Sequence, residues 1–198
     1  MNIKRYIATI ILAIVLLLNF SCTDWLDVKP VDRMSEDQLY STEAGFRQAL
    51  NGIYVELNHA DLYGDELLVN TVEILAQRYK FSSMGTLTNQ YHLAEFDYTT
   101  DYAKKCGSRI WEKAYALIAN VNKLLKNADS HKDLFTGDSY DLITGEAYAL
   151  RAFLHFDLLR LFGPVYKTHK EDKSICYNTQ FSLSGSDLLP ASTVMEYV

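Results

Sequence analysis

The sequence predicts an all-α fold built from tetratricopeptide-like helical hairpins with long loops between them. Four segments carry apolar residues at the spacing of one helical face, and the 198 residues include only 9 Gly and 3 Pro. Tyr115 and Tyr148 lie 33 residues apart on consecutive predicted helices, close to the length of a tetratricopeptide repeat. Ala149, Phe153 and Pro164 fit further positions of that repeat.

The first two predicted helices follow a polar segment. Ser41 or Thr42 can cap the free N–H groups of the first helix, and Glu43 is favourable in the first turn. Its buried face is predicted from the helical spacing of Phe46, Leu50, Ile53 and Leu57. A second helix is predicted over about Asp65–Ala76, with Leu68, Val72 and Leu75 on its apolar side.

Two longer helices are predicted over about Ser108–Asn127 and Tyr140–Phe162. The second of them ends at Gly163–Pro164, because Gly tolerates a helix cap and Pro cannot continue a helix. Four aromatic residues at helical spacing are expected in the core: Trp111, Phe153, Phe156 and Phe162. After Lys167 the sequence is polar and irregular until residues 190–198, which are typical of the start of another helix.

Residues 77–102 have no sustained period and are rich in aromatic rings. They are interpreted as one long structured loop, and loops of this length inside compact domains are often functional. Phe81 and Phe96 are expected to pack in the core beneath it.

Residues 1–21 have the pattern of an export signal, and residues 22–40 that of an extended tether. Lys4 and Arg5 precede an uncharged apolar run that is shorter than a membrane-spanning helix requires. Cys22 directly after this run could be an incidental thiol, half of a disulfide or a lipid-attachment site. If it is used elsewhere, Cys106 and Cys176 could pair with each other, although two free thiols are the default expectation.

Composition excludes several classes of function. The net charge of −6 disfavours nucleic acid as a partner, and no Cys or His pattern indicates a metal site or a cofactor. No hydrolase, phosphate-binding or dinucleotide-binding motif is present. The pairs Arg151/His155 and Asp157/Arg160 are interpreted as helix-stabilising rather than catalytic, because of their one-turn spacing.

Several stretches together resemble the SusD/RagB family of outer-membrane lipoproteins. They are "SCTDWLDVKP" after the signal, "TEAGFRQALNGIYVEL", "IWEKAYALIANVNKLL" and "GEAYALRAFLHFDLLRLFGPV". The resemblance covers most of residues 22–198 and implies a helical domain over 41–198 that carries long ligand-binding loops. Family members are typically much longer, so the chain is expected to be an N-terminal portion.

The resemblance implies a non-enzymatic surface protein, lipid-anchored to the outer membrane through Cys22. Such proteins capture oligosaccharide or polysaccharide, including starch-like glycans, for import by a SusC-type TonB-dependent transporter. Sugar sites combine stacked rings with polar partners, which makes five residues of the ring-rich loop candidates: Tyr79, Asn89, Tyr91, His92 and Tyr98. The alternatives are a lipid-anchored helical scaffold for protein partners and, less favoured, an all-α glycoside hydrolase.

Overall fold

The computed structural model describes residues 35–181 and 186–198. The chain divides into two units, Met1–Ser35 and Glu36–Val198, and every described residue except Ser35 belongs to the second. The described residues form no β-strand, and their α-helices are α1 Glu36–Leu39, α2 Glu43–Leu57, α3 Thr71–Leu75, α4 Thr88–Ala94, α5 Asp101–Ser130, α6 Ser139–Phe162, α7 Tyr166–His169 and α8 Ala191–Tyr197. The predicted all-α fold is therefore confirmed, whereas its likeness to tetratricopeptide repeats stays an interpretation.

The two longest helices, α5 and α6, pack as an antiparallel hairpin. Near the start of α5, the ring of Trp111 meets that of Phe162, the last residue of α6, edge-on with centroids 5.1 Å apart. At the opposite end, Tyr140 Oη donates a hydrogen bond to Asp129 Oδ1 at 2.6 Å. A 3-10 helix, Lys132–Leu134, lies in the short connection between the two helices.

Helix α2 lies against this hairpin and runs parallel to α6. Early in both helices, Arg47 Nη2 donates to Ser139 Oγ at 2.8 Å. About two turns further along each helix, Tyr54 Oη donates to Glu146 Oε2 at 2.9 Å. The three helices enclose the main hydrophobic core, to which each contributes one apolar face.

The start of α2 confirms the predicted cap and carries the centre of the core. Thr42 Oγ1 accepts a hydrogen bond from Gly45 N at 3.2 Å, which satisfies one of the free N–H groups of the first turn. Phe46 is fully buried and packs against Tyr40 and Phe135, with ring centroids 4.9 and 4.8 Å away. Helix α1 and Tyr40 lie at the end of the segment predicted as a tether; residues 22–34 of it lie outside the described residues.

The predicted second helix is much shorter in the structure. Only α3 is helical, and residues 65–70 form turns in which the Asp65 carbonyl accepts N–H groups from Leu68, Val69 and Asn70. Leu68, placed on the apolar face by its spacing, is 59% exposed. The predicted apolar face was wrong because the turns interrupt the helical spacing between Leu68 and the residues of α3. Within α3, Ile74 is the buried aliphatic residue.

The ring-rich loop contains a helix of its own. Helix α4 packs with α3 and the start of α5 around a small second core of Ile74, Leu93, Ala94 and Ala103. Phe81 is half-buried against this core, as expected. Phe96 is 52% exposed, contrary to expectation, and its positive φ of 59° turns the chain after α4.

Of the four aromatic residues expected in the core of α5 and α6, one is exposed. Trp111, Phe156 and Phe162 are half-buried, whereas Phe153 is 45% exposed. Its ring stacks on Tyr63, with centroids 5.2 Å apart. Residues three and four apart share a face, but Leu150 and Leu154 already occupy the buried one, which leaves Phe153 at its edge.

The segment after α7 returns to the hairpin and is anchored on both helices. Ser174 N donates to Leu189 O at 2.8 Å, and Leu189 N donates to Ile175 O at 2.9 Å. Tyr115 Oη of α5 donates to Cys176 O at 2.7 Å. The chain then ends in α8, which confirms the helix predicted near the end of the sequence.

Candidate functional site

The five residues predicted to bind sugar do not form one site in the structure. Tyr79 is exposed, but its Oη donates to Val69 O at 2.9 Å and so fixes the loop. Tyr91 and His92 are half-buried neighbours on α4, with ring centroids 5.7 Å apart. Asn89 is exposed on the same helix. Of the five, only Tyr98 lines one of the two clefts described next.

The first of these, here called the apolar cleft, has a volume of about 550 Å³. It lies between the start of α5, the end of α6 and the α3–α4 region, and Tyr98 is one of its walls. Most of its lining is aliphatic or aromatic, including Leu75, Leu93, Trp111 and Phe162. It offers an apolar surface with few polar groups to orient a sugar.

The second, here called the basic cleft, has a volume of about 520 Å³ and combines rings, cations and amides. Its residues come from one face of α5, from one turn of α6 and from residues 179–181: Asn122, Leu125, Lys126, Asp129, Tyr148, Arg151, Thr179, Gln180 and Phe181. The spacing of the four α5 residues places them on one helical face. The rings of Tyr148 and Phe181 are both about half exposed, and each lies beneath a cation: Arg151 over Tyr148, and Lys123 Nζ 5.4 Å from the ring centroid of Phe181.

Arg151 is held in the basic cleft by contacts that leave its charge without a counter-ion. Its Nη1 donates to Asn122 Oδ1 at 3.0 Å and to Thr179 O at 3.4 Å. Its guanidinium carbon lies 5.1 Å from the ring centroid of Tyr148, a cation–π contact. Among the described residues, no carboxylate lies within salt-bridge distance of this side chain.

Asn122 links the cleft to the segment that forms its third wall. It is only 2% exposed, and its Nδ2 donates to Asn178 O at 2.9 Å while its Oδ1 accepts from Arg151. A buried amide that lost either partner would cost about 1–3 kcal/mol. The two bonds therefore fix both the guanidinium and the backbone next to Thr179.

His155, one turn after Arg151 on α6, binds the backbone of the same segment at Asn178. It is fully buried; its Nδ1 lies 2.8 Å from Arg151 O, and its Nε2 accepts a hydrogen bond from Asn178 N at 3.1 Å. The ring is therefore neutral, with its proton on Nδ1. Burial lowers the pKa of His155 to about 4, although its bond to the Arg151 carbonyl acts in the opposite direction. Its role is structural, in agreement with the interpretation from spacing.

The remaining charges around the basic cleft leave an excess of positive charge. Lys126 is exposed and has no ion pair among the described residues. Asp129, the one carboxylate of the lining, accepts from Tyr140 Oη and lies 3.5 Å from Lys132 Nζ. These two contacts, the tyrosine first, lower the pKa of Asp129. Lys123 nearby is paired with Glu36 at 2.6 Å.

The buried carboxylates of the described residues have structural partners. Glu66 is paired with Arg109 and accepts from Thr71 Oγ1 at 2.5 Å. Asp157 accepts from Tyr63 Oη at 2.5 Å and is paired with Arg160, the contact expected from their spacing. Both acids therefore stabilise helix packing rather than face a cleft with a free carboxylate.

Cysteine and metal chemistry add no further site to the described part of the chain. Cys106 and Cys176 are both free thiols, the first buried and the second half-buried, which confirms the expectation that they do not pair. Residues 35–181 and 186–198 contain no group of three or more His, Cys, Asp or Glu side chains that could hold a metal ion. No helix in those ranges has the length and apolarity needed to cross a bilayer. Cys22 lies outside the described residues.

Sequence reasoning missed the basic cleft, although part of the signal was present. Asn122, Lys126 and Asp129 at helical spacing indicate one polar strip on α5, and Arg151 lies on the next helix. The third wall at residues 179–181 comes from a segment far away in sequence and without periodicity. No local pattern indicates that it returns to this place.

The fold and its clefts define the class: an all-α scaffold, centred on a long helical hairpin, with an apolar and a basic cleft. The chain belongs to the SusD-like family. Residues 24–194 match the family described as "Starch-binding associating with outer membrane".

Two curated relatives come from Formosa agariphila. SusD-like protein P2 is 27% identical over 162 residues, which is 82% of this chain and 30% of the relative. SusD-like protein P25 is 27% identical over 148 residues, which is 73% of this chain and 28% of the relative. The chain thus spans less than a third of the length of these two relatives.

Proposed function

We propose that the chain belongs to a cell-surface glycan-binding lipoprotein, which captures oligosaccharide and passes it to a SusC-type TonB-dependent transporter. The observation that carries the proposal is the match of residues 24–194 to a family described as starch-binding and associated with the outer membrane. Lipid attachment at Cys22 would hold the protein on the membrane, since two or more acyl chains suffice for stable anchoring.

The basic cleft is the proposed sugar site. Sugars present apolar C–H faces bordered by hydroxyl groups, so their sites combine ring faces with hydrogen-bonding side chains. Tyr148 and Phe181 supply exposed rings, and Gln180 and Arg151 supply polar groups beside them. Tyr98, at the apolar cleft, remains a second proposed contact, and Tyr79, Asn89, Tyr91 and His92 remain separate candidate contacts outside both clefts.

The proposal assigns binding rather than hydrolysis. Glycosidases need two positioned carboxylates on either side of the scissile bond. Asp129 is the single carboxylate in the lining of the basic cleft, and it is engaged by Tyr140 and Lys132. An acid with these partners is poorly suited to give or take a proton.

Calorimetric titration of the purified protein against a panel of neutral and charged oligosaccharides tests the binding. We expect one glycan class to bind, and Tyr148→Ala and Phe181→Ala to weaken it about three- to tenfold, because each removes a stacking ring. Tyr166→Ala, which removes an exposed ring away from both clefts, is the matched control and should bind as the wild type does. A folded protein that binds no glycan on the panel would refute the proposal.

The transporter is tested separately. Extraction of the native outer membrane with mild detergent should recover the protein together with a TonB-dependent barrel. Recovery of the protein alone, under conditions that leave other membrane complexes intact, would refute this part of the proposal without affecting the sugar site.

A further inference from the structure

We infer that the basic cleft selects glycans that carry negative charge, as carboxylate or sulfate groups, and that Arg151 is the residue that recognises the anion. The inference rests on the proposed glycan-binding function and names its substrate class. The fold fixes the position of Arg151, but its positive charge has no acidic partner among the described residues.

The first argument is the way Arg151 is held. A guanidinium has five N–H donors in a planar fork that matches a carboxylate or a sulfate. Among the described residues, only the Nη1 of Arg151 donates to protein, to Asn122 and Thr179, and the guanidinium lies over the ring of Tyr148. The Nε and Nη2 donors form no hydrogen bond with those residues, so we expect them to bind the ligand. The buried amide that fixes Nη1 also orients the fork in advance, which lowers the entropic cost of binding.

The second argument is a contrast with the other arginines of the described residues. Arg47, Arg109 and Arg160 each form an ion pair with an acid at 3 Å or less, and Arg78 lies 3.9 Å from Glu73. Arg151 alone among them has no acidic partner, although it lies in a protein of net charge −6. Neutralisation of a half-buried cation is favourable, so the missing acid points to an anion supplied by the ligand.

The third argument is the charge of the cleft as a whole. Within the described residues, Lys126 lines it without an ion pair, and the one acid of the lining, Asp129, lies 3.5 Å from Lys132 Nζ. A ligand anion at Arg151 would thus meet two cations and one compensated carboxylate. The exposed rings of Tyr148 and Phe181 border this position, so a sugar ring could stack while its charged substituent reaches the guanidinium.

The test compares tetrasaccharides of equal length by calorimetry at about 0.05 M salt: tetragalacturonate, a sulfated carrageenan tetrasaccharide and neutral maltotetraose. We expect at least one charged ligand to bind about tenfold or more tightly than maltotetraose, because hydrogen bonds between a guanidinium and an anion are stronger than those between neutral groups. The two charged ligands distinguish carboxylate from sulfate. The preference should shrink in about 0.5 M salt, where the Debye length is shorter.

Three variants locate the effect. Arg151→Gln should abolish the preference for the charged ligand, and Lys126→Gln, an exposed change that leaves the fold intact, should reduce it. Lys105→Gln is the matched control: it removes the same charge from an exposed position of the same helix, about 30 Å away along its axis. It should leave the preference unchanged.

The outcomes separate the inference from the function on which it rests. Equal binding of neutral and charged glycans, insensitive to Arg151→Gln, would overturn the inference and keep the proposed function. The same would follow if Lys105→Gln and Lys126→Gln weakened binding equally, since the attraction would then be unspecific. Binding of no glycan at all would refute both.

Discussion

Protonation of His155 should make the stability of the protein strongly dependent on pH. The ring is fully buried, and burial lowers its pKa to about 4, from about 6.5 in an unfolded chain. Between these two values the unfolded state binds a proton that the folded state does not. The contribution of His155 to stability is therefore complete above pH 6.5 and is lost as the pH falls towards 4.

The size of this loss follows from the same two pKa values. At roughly 1.4 kcal/mol for each unit between them, the neutral ring contributes about 3 kcal/mol that disappears by pH 4. A protonated Nε2 could no longer accept the hydrogen bond from Asn178 N, so the wall of the basic cleft would lose one of its attachments.

Denaturant unfolding of the wild type and of His155→Gln, at pH 7.5, 6, 5 and 4, measures the effect. The free energy of unfolding of the wild type should exceed that of the variant at pH 7.5, and the difference should shrink by about 3 kcal/mol by pH 4. Groups whose surroundings are the same in both proteins cancel in the difference. His169→Gln, which removes an exposed ring, is the control for the loss of a histidine and should change the free energy of unfolding little at pH 7.5. A difference between wild type and His155→Gln that stayed constant within about 1 kcal/mol would refute the reasoning.

Three other predictions concern the fold and the membrane anchor. Gly45→Ala should strongly lower the midpoint of unfolding, because the new Cβ would overlap the carbonyl oxygen of Leu39 in α1. Gly52→Ala is the control in the same helix: its Cβ would meet open space, so it should raise stability by about 0.5–1 kcal/mol. Phe46→Ala should cost about 3–5 kcal/mol of unfolding free energy, and Phe153→Ala, at an exposed ring, only about 1 kcal/mol; equal losses would contradict the assigned core. Cys22→Ser should remove the acyl mass from the N-terminal peptide in mass spectrometry and release the protein from the membrane fraction, and a variant that remained lipidated would exclude Cys22 as the attachment site.

The long helices could be predicted from sequence because one apolar face continues without interruption through each of them. Ile118 and Val121 in α5, and Ala147 and Leu154 in α6, are buried as their spacing indicates. The predicted start of α5, at about Ser108, was too late, since the helix begins at Asp101. Ala103 and Cys106 are buried, however, and continue the same face towards the N-terminus.

The α3–α4 region could not be predicted in the same way, because its geometry depends on the side chains and turns of distant segments. Glu66 is buried through its ion pair with Arg109, 43 positions further along the chain. Gln77 takes a positive φ of 59°, and its Nε2 donates to Ala94 O at 2.6 Å. Neither contact leaves a periodic trace in the sequence, so the spacing of apolar residues alone gave a helix that was too long.

The form of the basic cleft depends on the buried side chains of Asn122 and His155 as well as on its exposed surface. Both backbone groups of Asn178 are hydrogen-bonded: its N–H donates to the buried His155, and its carbonyl accepts from the buried Asn122. The next carbonyl, that of Thr179, accepts from Arg151, which Asn122 also holds. Three side chains on two helices thus fix three consecutive peptide groups. The position of Phe181 relative to Tyr148, and with it the distance between the two rings that a sugar would meet, therefore depends in part on His155, which is buried and does not line the cleft.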